Sequence, residues 1–125
     1  MAKFYLCETC KNVVEMVHDS GVTPVCCGKP MMELVPNTTD AAGEKHLPVI
    51  SQSGNTVQVS VGSAAHPMSE EHSIQWICLE SAEGCQLKKL SADAAPEAVF
   101  ALADGDAPKA VYAYCNLHGL WKTDI

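Results

Sequence analysis

The sequence predicts a mainly β protein in two parts, a small metal-bound unit followed by an antiparallel β-sandwich. Three observations predict it. Four of the seven cysteines crowd into the start of the chain as Cys7-Glu8-Thr9-Cys10 and Cys26-Cys27. A polar, small-residue stretch, Asn37-Thr38-Thr39-Asp40-Ala41-Ala42-Gly43-Glu44, then interrupts the chain as a linker would. Beyond it, short apolar segments recur between turns at roughly 8–12 residue spacing, the pattern of a sandwich.

The first unit, 1–36, is too short to bury a core that would hold it folded alone. Units of this size generally need a metal or disulfides. Its apolar stretch (Val13, Val14, Met16, Val17) is brief, and a turn at Asp19-Ser20-Gly21 follows. A Cys-x-x-Cys turn offers two thiolates to one ion, and the adjacent pair Cys26-Cys27 closes a tetrahedron. Gly28 follows directly, where a permissive backbone helps neighbouring side chains reach one metal. A thioredoxin-like redox pair would need a βαβ context that is absent. Zinc and iron both accept four thiolates.

After the linker at 37–45, the segment 46–125 alternates as strands do. Val57, Val59 and Val61 alternate with Gln58 and Ser60, and Ile74, Trp76 and Cys78 alternate with Gln75, Ile77 and Leu79. A turn at Glu83-Gly84 leads to a strand at 86–90. Strands at 99–102 and 110–114 flank the turn Ala103-Asp104-Gly105-Asp106. No long amphipathic helix, repeat or low-complexity tract is visible.

Composition narrows the function. A net charge of -7 argues against nucleic acid and acidic membranes as partners. No apolar run approaches the roughly 18–20 residues that span a bilayer, and the first residues lack a signal-peptide pattern. The expected location is the cytoplasm, where disulfides are disfavoured and seven cysteines and five histidines point to metal.

A second constellation comprises His46, His66, His72, Cys115 and His118. His46 lies just past the linker, His66 and His72 bracket a loop between two expected strands, and Cys115-Asn116-Leu117-His118 is a tight turn. Loop ends of a rigid sandwich are where ligands can converge. Five donors exceed the four of a closed zinc site and leave one position of an octahedron open for a small ligand. Imidazoles with one thiolate suit iron, copper or zinc. His18 has no such company and reads as structural; Cys78 and Cys85 read as packing or exposed thiols.

These residues resemble a known family. Cys-x-x-Cys followed by Cys26-Cys27-Gly28 is similar to desulforedoxin and the N-terminal domain of desulfoferrodoxin. Glu44-Lys45-His46-Leu47-Pro48-Val49-Ile50, Gly62-Ser63-Ala64-Ala65-His66-Pro67-Met68 with His72, and Tyr114-Cys115-Asn116-Leu117-His118-Gly119-Leu120-Trp121 resemble the desulfoferrodoxin and neelaredoxin superoxide reductases. The resemblance covers nearly the whole chain, in order. It implies a rubredoxin-like domain with one iron on four cysteines and an immunoglobulin-like sandwich carrying another. That makes two iron ions per chain, with zinc as an alternative in the four-cysteine site. It implies His46, His66, His72 and His118 as equatorial ligands and Cys115 as the axial one. Lys45 would attract superoxide and Glu44 would cap the oxidised iron. A homodimer reduced by a rubredoxin-like donor is also implied.

Rival readings are a non-catalytic metal-dependent electron carrier, a structural zinc module and a superoxide dismutase. A blue-copper carrier would want an axial Met after His118, and none follows.

Overall fold

In the computed structural model, which describes residues 1–125, the chain divides into two compact units, Met1–Val35 and Pro36–Ile125. The first holds only short strands: β1 (Phe4–Leu6), β2 (Val13–Glu15), β3 (Val25–Cys26), β4 (Lys29–Pro30) and β5 (Met32–Glu33). Three of them form an antiparallel sheet in the order β2-β1-β5, and β3 pairs with β4 as a separate hairpin. Its buried cluster is Tyr5, Cys7 and Met31, with Met16 and Cys26 packed against them. So small a cluster leaves the fold dependent on whatever joins its cysteines.

The second unit begins with one helical turn, α1 (Gly43–His46), and continues as β6 (Pro48–Ser53), β7 (Thr56–Val61), β8 (Ile74–Ser81), β9 (Gly84–Lys89), β10 (Glu97–Ala101), β11 (Pro108–Cys115) and β12 (Gly119–Asp124). Two antiparallel sheets form, β10-β7-β6 and β12-β11-β8-β9. Val57, Val59, Val61, Ala98 and Phe100 from one sheet meet Ile74, Ile77, Leu79, Val111, Ala113 and Cys115 from the other in a single core. This is the expected sandwich. No helix is long and apolar enough to cross a membrane.

The strands differ from the sequence expectation in one instructive way. Simple alternation puts Ile74, Trp76 and Cys78 on one face, yet the core takes Ile74 with Ile77 and Leu79. A register shift between Tyr114 and Cys115, which pair with Trp76 and Ile74, leaves Gln75 as an extra residue. That bulge moves the alternation by one position. Both faces of the strand are buried, so hydrophobicity alone does not reveal the phase. Strands β6 and β12 are not marked by alternation either: β6 is mostly exposed, and β12 buries two adjacent residues, Leu120 and Trp121.

The segment ahead of β6 is tied down. Asn37 donates its backbone N–H to Leu120 O and its side-chain amide to Lys122 O, and accepts from Lys122 N–H. The carbonyl of Glu44 accepts from Ala64 N–H at 2.8 Å and from the Ser63 hydroxyl at 3.2 Å. This clamp needs Gly62: a Cβ there would lie 2.5 Å from Glu44 O. The atoms it would meet are all backbone, so none can rotate away. Gly62→Ala is expected to destabilise the protein by about 1–3 kcal/mol through forced displacement of α1, measurable as a lower denaturation midpoint.

Candidate metal centres

The Cys7–Cys10 turn is built by backbone geometry. Lys11 N–H donates to Cys7 O at 2.8 Å, and Cys10 N–H points at Cys7 Sγ at 3.5 Å. On the opposite hairpin, Cys27 and Gly28 both have positive φ, +52° and +73°. The sequence suggested that Gly28 supplies the freedom; the structure has Cys27 itself enter the left-handed region as well. That turn lets two adjacent cysteines face one point. The Sγ atoms of Cys7, Cys10, Cys26 and Cys27 lie within 4.8 Å of one another, and no disulfide joins them.

Cys10 Sγ and Cys26 Sγ are 3.7 Å apart. A tetrahedron of that edge has its centre about 2.3 Å from each corner, the usual metal–thiolate distance. The sulfurs also divide electrostatically. The Cys10 N–H brings the Cys7 thiol down to about 6, while hydrogen bonding with the Cys10 and Cys7 sulfurs pushes Cys27 up to about 12. Four sulfurs this close cannot all ionise without a cation.

The second centre lies at one end of the sandwich. His46 ends α1, His66 and His72 sit in the connection from β7 to β8, Cys115 ends β11, and His118 lies in the turn into β12. Strand pairing brings these ends together: Pro48 pairs with Val61, and Ile74 with Cys115. The imidazoles form a closed ring in the order His46, His66, His72, His118, each next to its neighbours at centroid distances of 4.6–5.0 Å. His46 and His72 stand opposite at 6.5 Å. The Cys115 sulfur lies 3.9 Å from His118 Nδ1, and the residue is fully buried.

Hydrogen bonds set which nitrogens face inward. His46 Nδ1 is 2.7 Å from Ala42 O, and His66 Nδ1 is 2.7 Å from Pro67 O. A carbonyl accepts only from a protonated nitrogen, so both Nε2 atoms carry lone pairs. Those two acceptors nevertheless face each other at 3.2 Å. His118 Nδ1 is 3.1 Å from the same His46 Nε2. His72 Nε2 is buried with no hydrogen-bond partner. Converging lone pairs and an orphaned buried nitrogen are unfavourable unless a cation satisfies them. A square with sides of that length has its centre about 2.2 Å from each corner, close to the metal–imidazole distance of about 2.0–2.1 Å. The donors present therefore fit a metal ion.

Burial favours the neutral form of three of the imidazoles, His46, His66 and His72. It lowers His66 to about 4 and lowers His46 and His72 as well. Burial also pushes the Cys115 thiol up, opposed by the N–H groups of Leu117 and His118. Behind the ring, Trp121 stacks on His46 at 4.9 Å and donates its Nε1–H to His118 O at 3.1 Å. In the sequence Trp121 stands out only as the end of the stretch Tyr114–Trp121. Its spacing of three residues from His118 was the available signal.

Glu44 and Lys45 are exposed on α1, beside buried His46. After burial, which dominates, the Lys45 charge also lowers His46 and His72, and Glu44 acts on His46 in the opposite sense. Both charges thus reach the ring. His18 is exposed and in neither cluster. Cys78 is buried in β8 and Cys85 exposed in β9.

The sign of a pH effect follows from the burial. Folded His66 titrates near 4 against an ordinary 6.5, and His46 and His72 shift the same way. In metal-free protein their contribution to stability is present above pH 6.5 and lost as pH falls towards 4. Thermal unfolding of metal-free protein across this window is expected to show the midpoint falling before the carboxylates titrate.

Over residues 38–124 the chain matches desulfoferrodoxin, and over residues 1–34 the desulfoferrodoxin N-terminal domain. A desulfoferrodoxin of Syntrophotalea carbinolica is 50% identical over 120 residues, covering 96% of this chain and 94% of that protein. The crystal structure of the superoxide reductase from Treponema pallidum is similar with a TM-score of 0.85 at 40% identity, covering 99% of each chain. The one-iron superoxide reductase from Giardia intestinalis is similar with a TM-score of 0.55 at 35% identity, covering 66% of this chain and 97% of that one. With both domains matched in order and a relative sharing half its residues, the chain belongs to the desulfoferrodoxin family.

Proposed function

We propose that this protein is a superoxide reductase, which reduces superoxide by one electron, with two protons, to hydrogen peroxide. The observation that carries this reading is the ring of four imidazoles with a buried thiol beside it. His46, His66, His72, His118 and Cys115 would hold one iron ion, and Cys7, Cys10, Cys26 and Cys27 a second. Iron held by these five donors would supply the single electron and would accept a small anion.

The remaining work belongs to the chain. Neutral imidazoles with one thiolate leave a divalent ion with a local charge near +1, against a whole-protein charge of -7. Lys45, whose charge reaches His46 and His72, adds to that local field and draws in the anion. Glu44, adjacent to it and with its charge also acting on His46, would serve as the anionic partner of the metal site. Ala42 O and Pro67 O lock the tautomers of His46 and His66 and keep their donor nitrogens inward.

In this reading 1–36 is the four-cysteine iron domain, 37–45 the connection and 46–125 the catalytic domain. The cluster of Tyr5, Cys7 and Met31 is too small to hold the first domain without metal, which favours a structural role for that site. Exposure of Cys10 and Cys27 leaves electron exchange open to it as well. A homodimer, as the family resemblance implies, belongs to the same reading. A rubredoxin-like carrier as donor and a cytoplasmic location, where thiols stay reduced, complete the proposal.

Two measurements test it. Reduced protein given donor and a known pulse of superoxide is expected to yield one peroxide per superoxide without oxygen. Half that peroxide with matching oxygen would mean dismutation, and no accelerated loss would return the electron carrier. Lys45→Ala is expected to slow superoxide capture by roughly tenfold at low salt, with iron content unchanged. The difference should shrink as salt rises; unaltered low-salt rates would remove Lys45 from its role.

A further inference from the structure

The four histidines are not held alike. His46 and His66 each lock their ring through Nδ1 to a backbone carbonyl. His118 is held through its own carbonyl by the Trp121 indole. His72 has no such lock. Its hydrogen bonds run through the backbone to Ser69, and its Nε2 has no partner. Something else must fix the direction of that ring.

The side chain of Asn116 does this for the backbone on both sides of His72. Its Oδ1 accepts from Ser73 N–H at 3.0 Å, and its Nδ2 donates to Glu71 O at 2.9 Å. Its own N–H donates to Ser73 O at 3.3 Å. One amide thus spans the residue before and the residue after His72, while its backbone follows directly on Cys115. Only an amide presents an acceptor and a donor at that spacing without charge. Aspartate would place a second carboxylate oxygen against Glu71 O, and a leucine of similar size would leave both backbone groups without a partner.

We propose that Asn116 is a positioning residue that couples His72 to Cys115, fixing the otherwise unanchored imidazole relative to the buried sulfur. It touches no reacting atom and acts through these two ligands. The inference rests on reading the five residues as a metal centre. The first-order consequence is retention of the ion, since loss of an outer partner of a metal ligand commonly weakens binding by about 10–100-fold.

The test uses the full iron-loaded chain. Release of iron from the His/Cys centre to an excess chelator would be followed by its visible thiolate-to-iron absorption, with the four-cysteine centre as internal reference. Asn116→Ala is expected to release this iron at least about tenfold faster and to shift the absorption, while the four-cysteine centre releases at the wild-type rate. Val111→Ala, in the sandwich core away from the centre, controls for lost stability and is expected to keep wild-type release. Should Asn116→Ala fail to fold, Asn116→Asp keeps the acceptor for Ser73, removes the donor to Glu71, and is expected to behave in the same way. Wild-type release in the Asn116 variants, or equal acceleration in Val111→Ala, would overturn the inference alone. A wild-type chain that holds no metal at this centre would overturn the proposed function with it.

Discussion

The constraint on which the catalytic unit turns is the meeting of imidazole lone pairs between buried side chains. His46 Nε2 and His66 Nε2 face each other as two acceptors, and His72 Nε2 is buried and alone. Without a cation this arrangement works against folding; a bound cation would turn it into a source of folding free energy. The strand order, the one-turn helix and the bulge at Gln75 are best understood by how they bring those nitrogens together.

The two centres solve the problem at different scales. The four-cysteine site is local: two short turns present all four sulfurs, and left-handed backbone at Cys27 and Gly28 does the fine adjustment. The His/Cys site is distant in sequence, drawing on the ends of β7, β8 and β11 and on the segment before β6. Its precision comes from a rigid sandwich whose core contains Cys115 itself. The first centre can hold a small domain together. The second depends on a domain that already has a core.

Charge adds a layer that neither centre has alone. An acidic protein repels anions at long range, but the Debye length of about 8–10 Å means that nearby charge governs the approach. The Glu44 carbonyl, held by Ala64 and Ser63 over Gly62, fixes the turn that carries Lys45 and His46. Packing at a glycine thus sets both the electrostatics and the ligand geometry of the same helix.

The sequence by itself determined the chemistry and the architecture. Cys-x-x-Cys with an adjacent cysteine pair is a local pattern, and its spacing already encodes a tetrahedral site. Val57, Val59 and Val61 declared a strand because only one face of β7 is fully buried. The five donors of the other site were legible as residue types in loops. Their arrangement as a ring was not, because it depends on which strand ends are neighbours. Tertiary structure alone decided the order His46, His66, His72, His118, the inward nitrogens of His46 and His66, and the phase of β8, where burial on both faces erased the alternation. It also decided the parts played by Gly62 and Asn116 and the stacking of Trp121 on His46. These are contacts with residues far along the chain, and no local pattern records a contact of that kind.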